Sequence, residues 1–155
     1  MRKILLASAV AVLGAGSAMA AGSNQTTISV TVLQNCSITD PADITLSGPA
    51  IGNGGSSGFD FSCNFGGSGT PLPLKIGFQS QNGGVNNPSD ATRTYDSTYN
   101  ATVIPAASAV GSPVLVADTS SGPAAVNSRT FSVALTENLL IAGTYSDVLT
   151  VSVAP

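Results

Sequence analysis

Residues 72–78 read Leu72-Pro73-Leu74-Lys75-Ile76-Gly77-Phe78, and its large apolar side chains fall on every second position. Successive side chains of an extended chain point to opposite faces, so Leu72, Leu74, Ile76 and Phe78 share one face while Pro73, Lys75 and Gly77 share the other. The same period recurs on either side of this stretch. Phe59, Phe61, Cys63 and Phe65 alternate with Asp60, Ser62 and Asn64, and Phe131, Val133 and Leu135 face away from Ser132 and Ala134. Tyr145, Leu149, Val151 and Val153 share one parity toward the C-terminus, and near the other end Ile28, Val30 and Val32 alternate with Ser29 and Thr31. Weaker candidate strands lie at Ile44 to Leu46, Tyr99 to Ile104 and Pro113 to Ala117. Between the runs sit clusters rich in turn formers: Gly52-Asn53-Gly54-Gly55, Gly66-Gly67-Ser68-Gly69, Asn82-Gly83-Gly84, Asn86-Asn87-Pro88 and Ser120-Ser121-Gly122-Pro123. Short alternating strands separated by turns, with almost no helical period, predict an all-β protein of the sandwich type. The strand count across residues 85–126 stays open.

The N-terminus has a different character. Arg2 and Lys3 precede an apolar run from Ile4 to Leu13, and small residues follow down to Ala18-Met19-Ala20. This order is that of a secretory signal peptide, residues 1–20, cleaved before Ala21. A retained membrane helix needs about 18 to 25 apolar residues, more than this run supplies before the polar stretch Gly22 to Thr27. Removing 20 of the 155 residues leaves 135, enough for one domain with one core. In an oxidising compartment the two cysteines, Cys36 and Cys63, read as a disulfide.

Composition then narrows the function. Without the leader, Lys75, Arg93 and Arg129 stand against eight carboxylates, a net charge of −5, so no basic patch is available for nucleic acid or an anionic membrane. The chain has no histidine, so its many serines lack the usual activating base and a metal site lacks its commonest ligand. None of the Gly-rich stretches has the GxxxxGK[ST] order of a phosphate loop, so they read as turns. Asp40 and Asp43 flank Pro41, a common turn context, and two acids alone do not define a glycosidase. Asn24, Asn35 and Asn100 each begin a glycosylation sequon, a pattern that arises by chance in an Asn/Thr-rich chain. The expectation is a non-enzymatic protein with neither a catalytic nor a cofactor or metal site.

Three placements carry more information. An alternating segment, Thr26 to Leu33, begins within ten residues of the cleavage site; Cys36 follows directly, with Cys63 beyond it; and the chain ends on Gly143-Thr144-Tyr145-Ser146-Asp147 running into Leu149-Thr150-Val151-Ser152-Val153. In these features the sequence resembles the spore coat protein U-like subunits (SCPU domain) of archaic chaperone-usher pili, the Csu-type fimbriae. The resemblance implies residues 21–35 as an N-terminal extension carrying a donor strand, and residues 36–155 as a pilin-type domain. That domain would be an incomplete immunoglobulin-like β-sandwich, completed by donor strand exchange. Ile28, Val30 and Val32 would be the donor side chains, and Tyr145, Leu149, Val151 and Val153 the C-terminal core strand. A periplasmic chaperone would lend a strand first, and at an outer-membrane usher the extension of the next identical or related subunit would replace it. The implied location is a cell-surface fimbria, with roles in adhesion and biofilm formation. The alternatives from other classes are a monomeric exported binding module or tip adhesin, a coat protein without strand exchange, and a secreted hydrolase.

Overall fold

Burying one face of each alternating run requires a second layer, and the chain supplies it as two antiparallel sheets. The computed structural model describes residues 29–30, 34–65 and 71–155. Its strands are β1 (Cys36–Ile38), β2 (Gly54–Cys63), β3 (Leu72–Ser80), β4 (Tyr95–Tyr99), β5 (Thr102–Pro105), β6 (Val114–Ser120), β7 (Asn127–Leu135) and β8 (Leu149–Ala154). The larger sheet has the order β1-β2-β7-β4-β5 and the smaller β6-β3-β8, with every strand pair antiparallel. The signal segment and the side chains Ile28 and Val32 lie outside the described residues, whereas Ser29 and Val30 are described, outside any strand and exposed.

The two sheets share one core, as in a β-sandwich. Phe59, Phe61, Tyr99 and Phe131 of the larger sheet meet Leu74, Ile76, Phe78, Val116 and Val151 of the smaller. Phe78 makes the central link, its ring centroid 5.3 Å from that of Tyr99 and 5.6 Å from that of Phe131. Offset and edge-on aromatic pairs of this kind add about 0.5 to 1.5 kcal/mol each beyond the burial of their surface. A polar tie reinforces the apolar one. Asp118 of β6 accepts hydrogen bonds from the Tyr99 hydroxyl of β4 and, at 2.7 and 3.1 Å, from Nε and Nη2 of Arg129 on β7. Burial alone would raise the Asp118 carboxyl, but the bonds from Arg129 and Tyr99 outweigh it and hold the group below its ordinary range. The Tyr99 hydroxyl is pushed up, by burial first and by its bond to the carboxylate second.

Cys36 and Cys63 are bonded at 2.08 Å and stand opposite each other in the β1–β2 register. The disulfide therefore fastens the edge strand β1 to β2, the longest strand of the larger sheet.

The strands follow the sequence pattern where alternation is long, and depart from it in five places. Ile44 to Leu46 makes no ladder. Tyr99 to Ile104 is two strands rather than one, because Asn100 and Ala101 take left-handed conformations (φ 47° and 59°) and reverse the chain. Pro113 to Ala117 is shifted and lengthened to Val114–Ser120, since it pairs along β3 as far as Leu72. Gly54 and Gly55 lie in β2 and not in a turn; a Cβ on Gly54 would sit 2.2 Å from the Val133 carbonyl oxygen, so glycine is what lets β2 and β7 approach. Finally, Tyr145 falls outside the C-terminal strand, which begins at Leu149.

Candidate functional site

One side of the sandwich is closed and the other is not. Where β5 passes to β6, the 3₁₀ turn Ala106–Ala109 covers the gap between the sheets with Ala106 and Ala109 buried. On the opposite side, beyond β1, the chain from residue 39 runs back along β2 without pairing regularly with it. Thr39 N–H donates to the Asp60 carbonyl at 2.9 Å, Ser57 Oγ to the Ala42 carbonyl at 2.8 Å, and Ile44 lies against Gly55. Between these anchors the backbone is free. None of the N–H groups from Ala42 to Ser47 makes a hydrogen bond among the described residues, and of their carbonyls only that of Ala42 accepts one. Ile44 and Leu46 nevertheless turn inward and pack on the core.

The facing wall is the segment 145–149, which enters the smaller sheet at Leu149. β8 is that sheet's edge strand, paired with β3 alone, so the outer side of β8 offers a second row of unpaired backbone groups. Between the two walls lies a groove of about 770 Å³, bounded by residues 41–49 on one side and 145–149 on the other, with Val85, Tyr95, Phe131, Val133 and Leu139 as its apolar floor. Val148, on the second wall, is 58% exposed. The unpaired backbone of residues 42–47 beside an apolar slot, with the edge of β8 beginning at its end, has the donors, acceptors and side-chain surface that an added β-strand needs.

The second wall is held by carboxylates. Asp147 accepts from Ser80 Oγ at 2.5 Å, from the Asn82 N–H at 3.0 Å and from the Tyr95 hydroxyl at 2.8 Å. Burial, then the bond to Asp147, raises the Tyr95 hydroxyl well above its usual range. Two residues earlier, the Tyr145 hydroxyl donates to Asp90 Oδ2 at 2.5 Å, and Asp90 also takes Nη2 and Nε of Arg93 at 2.7 and 3.1 Å. Hydrogen bonds from Arg93 and then from Tyr145 hold the Asp90 carboxyl far below the ordinary range. A two-bond bridge, Asn86 N–H to Ser146 carbonyl at 2.9 Å and its reciprocal at 3.0 Å, completes the clamp. Gly143 sits where a Cβ would come within 2.4 Å of Asn87 Nδ2, at a φ of +153° that disfavours other residues. The Gly143-Thr144-Tyr145-Ser146-Asp147 motif is thus a latch that fixes the chain ahead of β8.

Of the residues singled out by sequence, the structure gathers the C-terminal group around this groove. Tyr145 and Leu149 line it; Val151 is in the core, and Leu149 and Val153 pack on its margin. Val30 is 80% exposed. Asp43 lies on the groove wall, and Asp147 is occupied as the latch acceptor. Sequence reading missed the parts played by Asp90, Val85 and Leu139, and no local pattern marks them, because each meets its partners across long stretches of chain. No protein-family model matches this chain, and no curated protein matches it either.

Proposed function

We propose that this protein is a structural subunit of a surface fibre, exported through the periplasm and polymerising by donor strand exchange. The observation that carries the reading is the groove. Its wall at residues 42–47 presents unpaired backbone, its second wall ends at Leu149 where the edge strand β8 begins, and its floor presents Phe131 and Val133. In this reading the sandwich is an incomplete immunoglobulin-like one, and the missing strand is residues 26–33 of another copy. That segment has the length of an ordinary strand, and its alternating Ile28, Val30 and Val32 present one apolar face to the floor. Burying each such side chain stabilises the joint by roughly 1.5 to 3 kcal/mol before ordering costs. The resemblance to the spore coat protein U-like pilins points the same way and brings a periplasmic chaperone and an outer-membrane usher as partners. The protein then needs no catalytic group.

A synthetic peptide spanning Thr26 to Leu33 tests the reading. Added to the mature protein in excess, it should occupy the groove, shorten or abolish multimers, and raise the melting temperature, as any ligand selective for the folded state must. A chain that stays monomeric and is indifferent to the peptide is instead an exported binding or coat module.

A further inference from the structure

The groove explains how one copy receives a strand, and says nothing yet of how the two folded bodies meet. Every strand pair among the described residues is antiparallel, and antiparallel addition is also the more stable arrangement on an edge strand. An arm lying in the groove antiparallel to residues 145–149 leaves it at the Tyr145 end, beside Pro49 and Leu139. Only Gln34 and Asn35 then separate Leu33 from Cys36, which the disulfide fixes to β2. Two residues span roughly 10 Å at most between the flanking Cα atoms, so the donor's body has to lie against that end of the acceptor.

Both ends carry exposed apolar side chains. At the groove end, Ile51, Leu140 and Ile141 are 62%, 69% and 44% exposed. They belong to the rim: the Leu139 N–H donates to the Pro49 carbonyl at 2.8 Å, the Ile51 N–H to Asn138 Oδ1 at 2.7 Å, and the Ile141 N–H to the Tyr145 hydroxyl at 3.3 Å. At the other end of β2, Val126 is 69% exposed. It lines a shallow depression with Ser37, Ile38, Thr39, Asp60 and Ser62, next to the disulfide that roots the arm. One patch adjoins the place where a neighbour's arm must emerge, and the other adjoins the root of the arm itself.

We infer that successive copies of this chain also dock body to body, the rim of Ile51, Leu140 and Ile141 on one copy covering the Val126 face of the next. The contact is head to tail, uses two different surfaces of one molecule, and therefore propagates without closing. This inference rests on the strand-exchange reading and adds a second component to the same joint.

Multimerisation of the mature full-length chain, followed by sedimentation velocity over a concentration series, tests it. Leu140→Glu and Val126→Lys each place a charge in the contact and leave the groove and arm alone. Each should raise the concentration needed for multimers by about tenfold or more, and the double variant, which pairs the two charges, should recover most of the loss. Val30→Asp, in the arm, should abolish multimers whatever the state of the bodies. All three positions are exposed, so the folded state is expected to survive every substitution. If Val30→Asp blocks assembly while Leu140→Glu and Val126→Lys assemble at wild-type concentrations, the body contact is wrong and strand exchange stands. If both single variants are impaired and the double variant is no better than either, the two patches do not face each other and the inference fails. If Val30→Asp assembles normally, the strand-exchange reading falls and takes this inference with it.

Discussion

Removing the Asp147 carboxylate should unfasten the wall of the groove at a cost that can be worked out from its partners. Asp147→Ala leaves two buried donors without an acceptor: the Ser80 hydroxyl, in a residue 1% exposed, and the Tyr95 hydroxyl, in a residue 3% exposed. A buried polar group stripped of its partner costs about 1 to 3 kcal/mol, so the pair predicts a loss of about 2 to 5 kcal/mol. The third donor, the exposed Asn82 N–H, turns to water and adds little. Domains of this size are stable by only about 5 to 15 kcal/mol, so the change is a large fraction of the whole. Urea denaturation with the disulfide intact should register it as a drop in midpoint of roughly 1 to 3 M. Tyr95→Phe should cost less, because Ser80 and Asn82 still satisfy the carboxylate. In a double-mutant cycle the two substitutions should couple by about 1 kcal/mol. A midpoint within error of wild type for Asp147→Ala, or strict additivity with Tyr95→Phe, would refute the latch.

Two further outcomes are expected. Val151 lies in the core opposite Phe78 and is 9% exposed, so Val151→Asp buries an unpaired carboxylate at several kcal/mol and should abolish accumulation of the protein; normal accumulation of the variant would show that this strand does not face the core. Asp118 and Asp90 are held below the ordinary carboxylate value in the folded chain, so their contribution is present above about pH 3.9 and is lost as pH falls below it, where the unfolded chain binds the extra protons. Denaturation midpoints between pH 7 and pH 3 should fall at the acid end, and more gently in Asp118→Asn; an unchanged acid limb in that variant would rule out Asp118 as a source.

Alternation in the sequence was enough to locate β3, β8 and the later parts of β2 and β7, from Phe59 and Phe131, and to say which of their side chains face inward, because a period of two follows directly from the geometry of an extended chain. Phe59, Phe61, Leu74, Ile76, Phe78, Phe131 and Leu135 are all buried as that period requires. The Cys36–Cys63 disulfide was legible for an equally simple reason, two cysteines in a chain whose first residues read as an export signal. Tertiary structure alone decided the rest. Ile44 and Leu46 alternate like strand residues yet stay off the ladder, because strand pairing depends on where the neighbouring edge lies and not on local period. Tyr145 has the parity of β8 but is held by Asp90, more than fifty residues away, and Asp147 is held by Ser80 and Tyr95 across a similar separation. The groove exists only because residues 41–49 and 145–149 come to rest facing each other over Phe131 and Val133. Such a vacancy is a relation between two distant edges, and no single stretch of sequence can encode it.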